Sequence, residues 1–384
     1  MDGPAAHERQ SSTGAPWRPG NEFRFLHENG EFFARMLSAI DAAAQYVLLE
    51  MYLVNSGVIT TRFCNALVAA GARGVRVCVL FDGFGALGLR NADRRRLVAA
   101  GVELRFFNPV RLHRFLANNL LRNHRKLLLI DGCVAFVGGA GLTDDFAPGA
   151  RRGAWRELMV EIAGPVVADW QRAFAVTWAR FGPVLEVAEP APEGAPQGAL
   201  GRISLSEARG RSDLASDVLR RIETARDRAW IMSAYFVPSR RFRTALRRAA
   251  RRGVDVRLLL PGPRTDHPWV RHAARRFYAK LLRNAVKIWE YQPSMLHAKM
   301  VLCDDWVSVG SANLDRWSFR WNLEANQEID STRVADAARA LFERDFLASR
   351  SVSRRHWGRR HWLDRVRENI AGRLDRLLDS WRRP

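Results

Sequence analysis

Two stretches of this chain place a histidine two residues before a lysine, and each closes on an aspartate five residues after that lysine. The first is His124, Lys126 and Asp131; the second is His297, Lys299 and Asp304. Four apolar residues fill each gap, Leu127 to Ile130 and Met300 to Cys303. A small-residue turn follows each: Gly138-Gly139-Ala140-Gly141, then Gly310-Ser311-Ala312-Asn313. A short apolar run bounded by turn residues reads as a buried strand. Side chains two apart on a strand share a face, so each histidine projects with its lysine. A neutral imidazole is a nucleophile or base, and its protonated form is an acid. A lysine ammonium is a point charge suited to a phosphate oxygen. Two such pairs facing one another would hold one phosphate, with one histidine attacking phosphorus and the other protonating the leaving oxygen. A single H-x-K means little, but its repetition with the same trailing aspartate and turn points to duplicated chemistry.

The elements needed to position these pairs recur in the same order in each half. Phe32, Phe33, Met36, Leu37 and Ile40 follow helical spacing. A strand is expected over Tyr46–Val54, with Glu50 and Tyr52 on one face, then a helix around Thr61–Ala70. Strand Gly74–Phe81, helix Arg90–Ala100 and strand Gly101–Phe107 come next. The second half offers helix Asp213–Arg226, strand Ala229–Phe236, basic helix Arg240–Arg251, strand Gly253–Leu260, helix Val270–Asn284 and strand Val286–Tyr291. Alternating strands and helices predict an α/β fold with a parallel or mixed sheet. Repetition of the whole order predicts an internal duplication, with His124 and His297 meeting across a pseudo-two-fold interface.

Boundaries follow composition. Residues 1–20 are polar, rich in Gly, Pro and Ser, and read as a disordered tail. Residues 21–185 form the first domain, 186–202 a Pro/Ala/Glu/Gly linker, 203–350 the second domain and 351–384 a basic amphipathic tail. The first half carries an additional segment before its motif, roughly Val110 to Asn123. There Leu112, Phe115, Leu116, Leu120 and Leu121 interleave with Arg111, Arg114 and Arg122, as in a lipid-facing lip or an ordinary surface helix. In the tail, Trp357 and Trp362 sit among Arg354, Arg355, Arg359 and Arg360. Leu363, Val366, Ile370, Leu374, Leu377 and Trp381 then recur at helical spacing. Such a helix fits an anionic membrane surface; the competing reading packs it on the protein's own core, with Asp364, Glu368, Asp375 and Asp379 paired to arginines.

At 384 residues the chain is long enough for two domains, and its formal net charge of +21 favours an anionic partner: nucleic acid, an acidic membrane or a phosphorylated substrate. Cys64, Cys78, Cys133 and Cys303 form no C-x-x-C pair, which reads as reduced, buried thiols and no zinc site. No run approaches the ~20 apolar residues that span a bilayer.

The doubled H-x-K-x4-D pattern resembles the hallmark of the phospholipase D superfamily. Gly138-Gly139, Gly164-Pro165-Val166, Tyr235 to Pro238, Gly310 to Asp315 and Asn322 to Asn326 are similar to bacterial cardiolipin synthases, in particular the shorter type B enzymes. The likeness covers roughly Asn21 to Leu347. It implies two similar α/β/α domains with the active site at their interface. The implied activity is a phosphatidyltransferase that makes cardiolipin from phosphatidylglycerol and a second phospholipid through a phosphohistidine. His124 would be the nucleophile and His297 the acid, then the base. Lys126 and Lys299 would hold the non-bridging oxygens, with Ser311 and Asn313 donating to the same phosphate. Asp131 and Asp304 would order the site, and Glu157 and Glu324 would each orient a histidine. No cofactor or metal is implied, because lysines neutralise the phosphate. The implied partners are anionic phospholipids and the membrane surface, peripheral on the cytoplasmic side of the bacterial inner membrane; no protein partner is indicated.

Three positions depart from the family pattern. Gly141 stands where Asn is usual, Glu157 where this subfamily commonly has Asp, and one residue is missing between Asp304 and Gly310. The alternative is a phosphodiesterase of the same superfamily, including a nuclease, which the charge would suit. Nucleic acid is disfavoured as a partner because DNA does not call for a tryptophan-rich tail. A non-catalytic membrane scaffold would not need both His-Lys pairs intact.

Overall fold

The computed structural model describes residues 14–28, 30–111, 119–150, 153–188, 192–207, 212–358, 360, 362, 367–368 and 370–372. The first half runs β1 (Arg18–Leu26), α1 (Glu31–Ala42), β2 (Tyr46–Met51), α2 (Val58–Ala72), β3 (Arg76–Asp82), α3 (Asn91–Ala99), β4 (Glu103–Phe107), β5 (Arg122–Asn123), β6 (Lys126–Ile130), β7 (Val134–Gly138), β8 (Met159–Ala163) and α4 (Val166–Trp178). The second runs β9 (Ala199–Glu207), α5 (Asp213–Thr224), β10 (Arg228–Met232), α6 (Arg240–Arg251), β11 (Asp255–Pro261), α7 (Pro268–Arg275), α8 (Tyr278–Leu282), β12 (Lys287–Tyr291), β13 (Met300–Cys303), β14 (Trp306–Gly310), α9 (Arg316–Trp321), β15 (Asn322–Asp330) and α10 (Thr332–Leu347). β16 (Ser349–Ser351) and α11 (Arg354–Gly358) close the described order.

The strands form one continuous sheet. One half reads β4-β3-β2-β6-β7-β8-β1 from edge to centre, and the other reads β12-β11-β10-β13-β14-β15-β9, with β16 beyond β12. The two orders match position by position, so the duplication expected from the sequence is present in the topology. β1 and β9 join them antiparallel at the centre. Within each half three strands are parallel and the rest antiparallel, a mixed sheet.

Hydrophobic alternation explains the layers. In β6, Leu127 and Leu129 enter the central core with Trp170 and Trp178, while Leu128 and Ile130 enter the outer core with Phe32 and Phe63. A strand buried on both faces must be apolar throughout, which is why the motif's spacer reads Leu-Leu-Leu-Ile.

Several expectations are corrected. β1 opens at Arg18, inside the stretch read as a tail, and the Arg18 guanidinium pairs with the buried Asp169 carboxylate at 3.0 Å. The linker is partly structural: Ala195 N–H bonds the Gly20 carbonyl, and β9 begins at Ala199. The helix expected over Val270–Asn284 is two, because Phe277 N–H bonds the Ala274 carbonyl in a tightened turn. That turn rotates Tyr278 into the core. Cys133 is exposed, on the β6–β7 turn, whereas the other three cysteines are buried.

At Trp357 and Glu368 the tail departs from its membrane reading. Trp357 is buried against Tyr278, with ring centroids 4.9 Å apart, and Arg275 and Arg360 lie over it. Buried Glu368 accepts from Arg275 and Arg360. Trp362 and Ile370 are exposed. Leu363, Val366, Leu374, Leu377 and Trp381 lie outside the described residues, as do Leu112, Arg114, Phe115 and Leu116 of the expected lip.

Candidate active site

Both motif histidines line a single cavity of about 680 Å³ between the halves, together with Tyr52, Arg122, Lys126, Gly139, Trp155, Tyr235, Asn313 and Trp321. The strand alternation inferred from spacing holds at each motif. Arg125 turns away from the cavity, where its guanidinium donates to Thr177 Oγ1 at 3.0 Å and pairs with Glu207. Ala298, the corresponding residue, is buried in the core.

Each histidine is held by the glutamate of the opposite half. His124 Nδ1 lies 2.9 Å from Glu324 Oε2, and His297 Nδ1 makes a short hydrogen bond to Glu157 Oε2. The crossing has a backbone cause. β5 pairs in parallel with β15, and His124 N–H donates to the Leu323 carbonyl at 2.9 Å, which sets the imidazole beside the next residue, Glu324. In mirror fashion His297 and Ala298 N–H both donate to the Arg156 carbonyl, at 2.8 and 3.0 Å, beside Glu157. With Nδ1 committed to a carboxylate, Nε2 is the nitrogen left for chemistry.

The two dyads are not equivalent. Glu324 also accepts from Ser311 Oγ at 2.5 Å and from Asn322 Nδ2 at 3.0 Å. Ser311 in turn accepts from Ala325 N–H at 3.0 Å and does not line the cavity. Its expected place as a phosphate donor is therefore taken by a contact behind the histidine. Gly139 occupies the corresponding position in the first half, where a Cβ would stand 2.5 Å from both Glu157 oxygens. Glu157 instead accepts from its neighbour's Leu158 N–H at 2.9 Å, and Lys299 Nζ lies 3.8 Å away.

The lysines differ likewise. Lys126 reaches the cavity, donates to the His124 carbonyl at 2.6 Å and lies 5.0 Å from the Tyr52 ring centre. Lys299 lies behind His297, 2.9 Å from Nδ1 and 3.2 Å from Nε2. Burial pulls Lys126 down to about 7, opposed by Glu324 and reinforced by Lys299. Burial also lowers Lys299, and Glu157 opposes this. Burial, with Lys299 adding to it, takes His297 down to about 4; burial likewise lowers His124. Burial alone would raise both glutamates, but the adjoining cations and imidazoles outweigh it: Lys299 and His297 for Glu157, His124 and Lys126 for Glu324. Both stay below the ordinary range. At neutral pH the site thus holds two neutral imidazoles backed by two carboxylates, with Lys126 close to the midpoint of its titration.

Asp131 and Asp304 sit at the far ends of the motif strands, in the left-handed region at φ 51° and 50°. Asp131 accepts from the N–H groups of Ala44, Gln45 and Tyr46, and Asp304 from those of Arg226, Asp227 and Arg228. Each fixes the start of a neighbouring strand. Asn313 lines the cavity and accepts from Tyr235 N–H at 3.2 Å. The departures from the family pattern become intelligible. A Cβ at Gly141 would stand 2.8 Å from Leu53 Cβ and its carbonyl, leaving no room for Asn. The missing residue falls in a hairpin tip: Ile130 pairs with Val134 across three residues, Cys303 with Trp306 across two.

Residues that spacing did not single out complete the site. The Tyr52 ring meets His124 edge-on at 4.6 Å, and Trp155 and Phe146 pack on His297 at 5.2 and 5.5 Å. Asn123 Nδ2 donates to fully buried Glu50 at 2.6 Å, which burial shifts upward. Asp315 caps α9 and is raised by burial to about 6. The Glu50–Tyr52 alternation and the Tyr235 stretch were the available signals; Trp155 and Phe146 had none.

The geometry agrees with comparisons to known proteins. The family described as cardiolipin synthase, PLD-like domain, matches residues 36–178 and 218–346, one match in each half. Cardiolipin synthase A of Pseudomonas entomophila is 34% identical over 374 residues, 94% of this chain and 76% of that protein. Cardiolipin synthase A of Pseudomonas aeruginosa is 35% identical over 342 residues, 88% of this chain and 69% of that protein. The phosphatidylserine synthase structure from Haemophilus influenzae superposes with a TM-score of 0.72 at 13% identity, covering 93% of each chain, a likeness of fold. With two motif repeats, a shared cavity and relatives of this identity and extent, the chain belongs to the cardiolipin synthase family of phospholipase D-like proteins.

Proposed function

We propose that this chain transfers a phosphatidyl group from phosphatidylglycerol to the free hydroxyl of a second phospholipid, forming cardiolipin and releasing glycerol. The observation that supports it most is the pair of histidines from opposite halves on one cavity, each backed by a buried carboxylate. His124 Nε2 attacks phosphorus, and the glycerol oxygen leaves with a proton from His297. The acceptor hydroxyl then gives its proton to His297 and attacks the phosphohistidine. His297 is neutral in the free protein, and a bound phosphodiester anion beside it favours its protonated form. Lys126 and Asn313 contact the phosphate, and Lys299 supplies positive charge from behind His297. Glu157, Glu324 and Ser311 position the imidazoles; Asp131 and Asp304 hold the strands.

His124 is assigned as the nucleophile because its carboxylate is the more fully held, with donors from Ser311 and Asn322. Anionic phospholipid and a peripheral place at the cytoplasmic face of the inner membrane belong to the same reading. So does the type B-like subtype, which rests on the sequence resemblance, since the relatives above carry the A designation. The test is purified protein and its His124→Ala variant with phosphatidylglycerol vesicles, products followed by mass spectrometry. Cardiolipin and glycerol from the wild type alone are expected. Phosphatidic acid in their place would make it a hydrolase, and cleavage of DNA with no lipid product would make it a nuclease.

A further inference from the structure

The cavity mouth is ringed by side chains that water does not favour. Phe84 is 53% exposed and Leu87 62%, both on the loop leaving β3. Trp269 is 61% exposed, at the start of α7 after β11, the matching loop of the other half. Trp317 on α9 is 41% exposed and lines the mouth itself. The other two loops are tied to the cavity by their neighbours. Arg122, a lining residue, lies 6.0 Å from the Phe84 ring centre, and His267 and Val270, both lining residues, flank Trp269. Scattered single apolar residues need no explanation, but aromatic residues from both halves gathered on one opening do.

Charge at the same rim is largely positive. Arg90 and Arg264 are exposed on the two loops, and Arg316 and Arg320 line the mouth half-buried. Asp145 and Asp266 also face it. Asp266 accepts from the Tyr235 hydroxyl at 2.5 Å and Asp145 from Thr143 Oγ1 at 2.9 Å. The C-terminal stretch reaches the same rim, since Ala371 packs with Val237, Val270 and Ala273. Exposed tryptophan, phenylalanine and leucine interleaved with arginine match the headgroup layer of an anionic bilayer, whereas the phosphate backbone of a duplex would be met by the arginines alone.

We propose that this rim is the membrane-docking face: Phe84, Leu87, Trp269 and Trp317 enter the headgroup layer, and the arginines around them meet anionic lipid. The cavity then opens directly onto the bilayer, so a lipid's phosphodiester reaches His124 and His297 while its acyl chains stay among their neighbours. Two-sided placement lets donor and acceptor lipids enter from the same surface. This inference rests on the phosphatidyl-transfer reading for its substrate, but its docking claim is measured separately.

The test uses the full chain carrying Phe84→Ser, Leu87→Ser and Trp269→Ser together, none of which lines the cavity. Leu347→Ser, 90% exposed at the end of α10, is the control. Co-sedimentation with phosphatidylglycerol/phosphatidylcholine vesicles should show the triple variant binding at least about tenfold more weakly, and the control unchanged. Turnover of short-chain phosphatidylglycerol below its micelle concentration should be retained by the triple variant. Vesicle binding equal to wild type would overturn the proposal, as would equal loss in the control or loss of monomer turnover along with binding. If the wild type docks through this rim yet turns over no lipid, the catalytic reading falls and the docking face stands.

Discussion

Replacing Glu324 with glutamine separates a positioning role for Ser311 from a substrate-binding one. Glu324 is fully buried and accepts from His124 Nδ1 at 2.9 Å. A hydrogen bond to a charged group contributes about 1.5–3 kcal/mol, which at ~1.4 kcal/mol per decade is roughly 10- to 150-fold in rate. Glutamine would also turn an amide N–H toward Nδ1 and favour the tautomer with its proton on Nε2, the nitrogen that must attack. A loss of kcat toward roughly 10³–10⁴ is therefore expected, the scale seen when a triad carboxylate is made an amide. Ser311→Ala removes only one donor from that carboxylate, so roughly tenfold is expected. Because Ser311 acts through Glu324, the double variant should be no slower than Glu324→Gln alone. The assay is glycerol release from phosphatidylglycerol in mixed micelles. Losses that multiply in the double variant would refute the reasoning and return Ser311 to the phosphate.

Gly139→Ala should displace the Glu157 carboxylate, 2.5 Å from the new Cβ, and slow turnover by about tenfold or more with little change in urea midpoint. The pH profile of kcat/KM, which reports the free enzyme, should rise as the nucleophile His124 becomes neutral, at a pH below the ordinary imidazole value because burial lowers it, and fall as Lys126 loses its proton past about 7. Between about 7 and the ordinary 10.5, the unfolded chain holds a proton that folded Lys126 has released. This group therefore makes folding more favourable as pH rises through that window, and Lys126→Met should flatten that slope in urea titrations. Trp357→Ala should cost about 3–5 kcal/mol in the same titrations, as for a buried tryptophan, and leave the vesicle affinity of the folded protein unchanged. Asp345→Asn, which strips the carboxylate from buried Arg156 (2.9 Å), should cost about 3 kcal/mol.

Much of the fold was legible because it is written as local periodicity. The spacer Leu127 to Ile130 and the helix of Phe32, Phe33 and Ile40 carry their burial pattern in sequence, and the repeat order carried over to the sheet order. What was not legible depends on distant pairing. The first residues of β1 and β9 were read as the ends of the tail and the linker because Gly, Pro and polar residues dominate their surroundings, yet they form the seam of the sheet. The crossing of Glu324 to His124 and Glu157 to His297 arises from backbone bonds between halves, which no spacing encodes. The family resemblance implied that Ser311 is a phosphate ligand, and only the fold shows its hydroxyl directed at Glu324. Trp357 illustrates the same limit: its arginine-rich surroundings suggested a membrane, and its stacking on Tyr278 became visible only with α8 in place.

The most direct test of phosphatidyl transfer through His124 is a single-turnover reaction of enzyme in excess over phosphatidylglycerol, quenched without acid and read by intact mass and peptide mapping. One glycerol released per phosphatidyl group bound is expected, with an adduct on the peptide containing His124. That adduct should be absent in His124→Ala and should convert to cardiolipin when more phosphatidylglycerol is added. Cardiolipin formed with no adduct, or an adduct on the His297 peptide alone, would contradict transfer through His124.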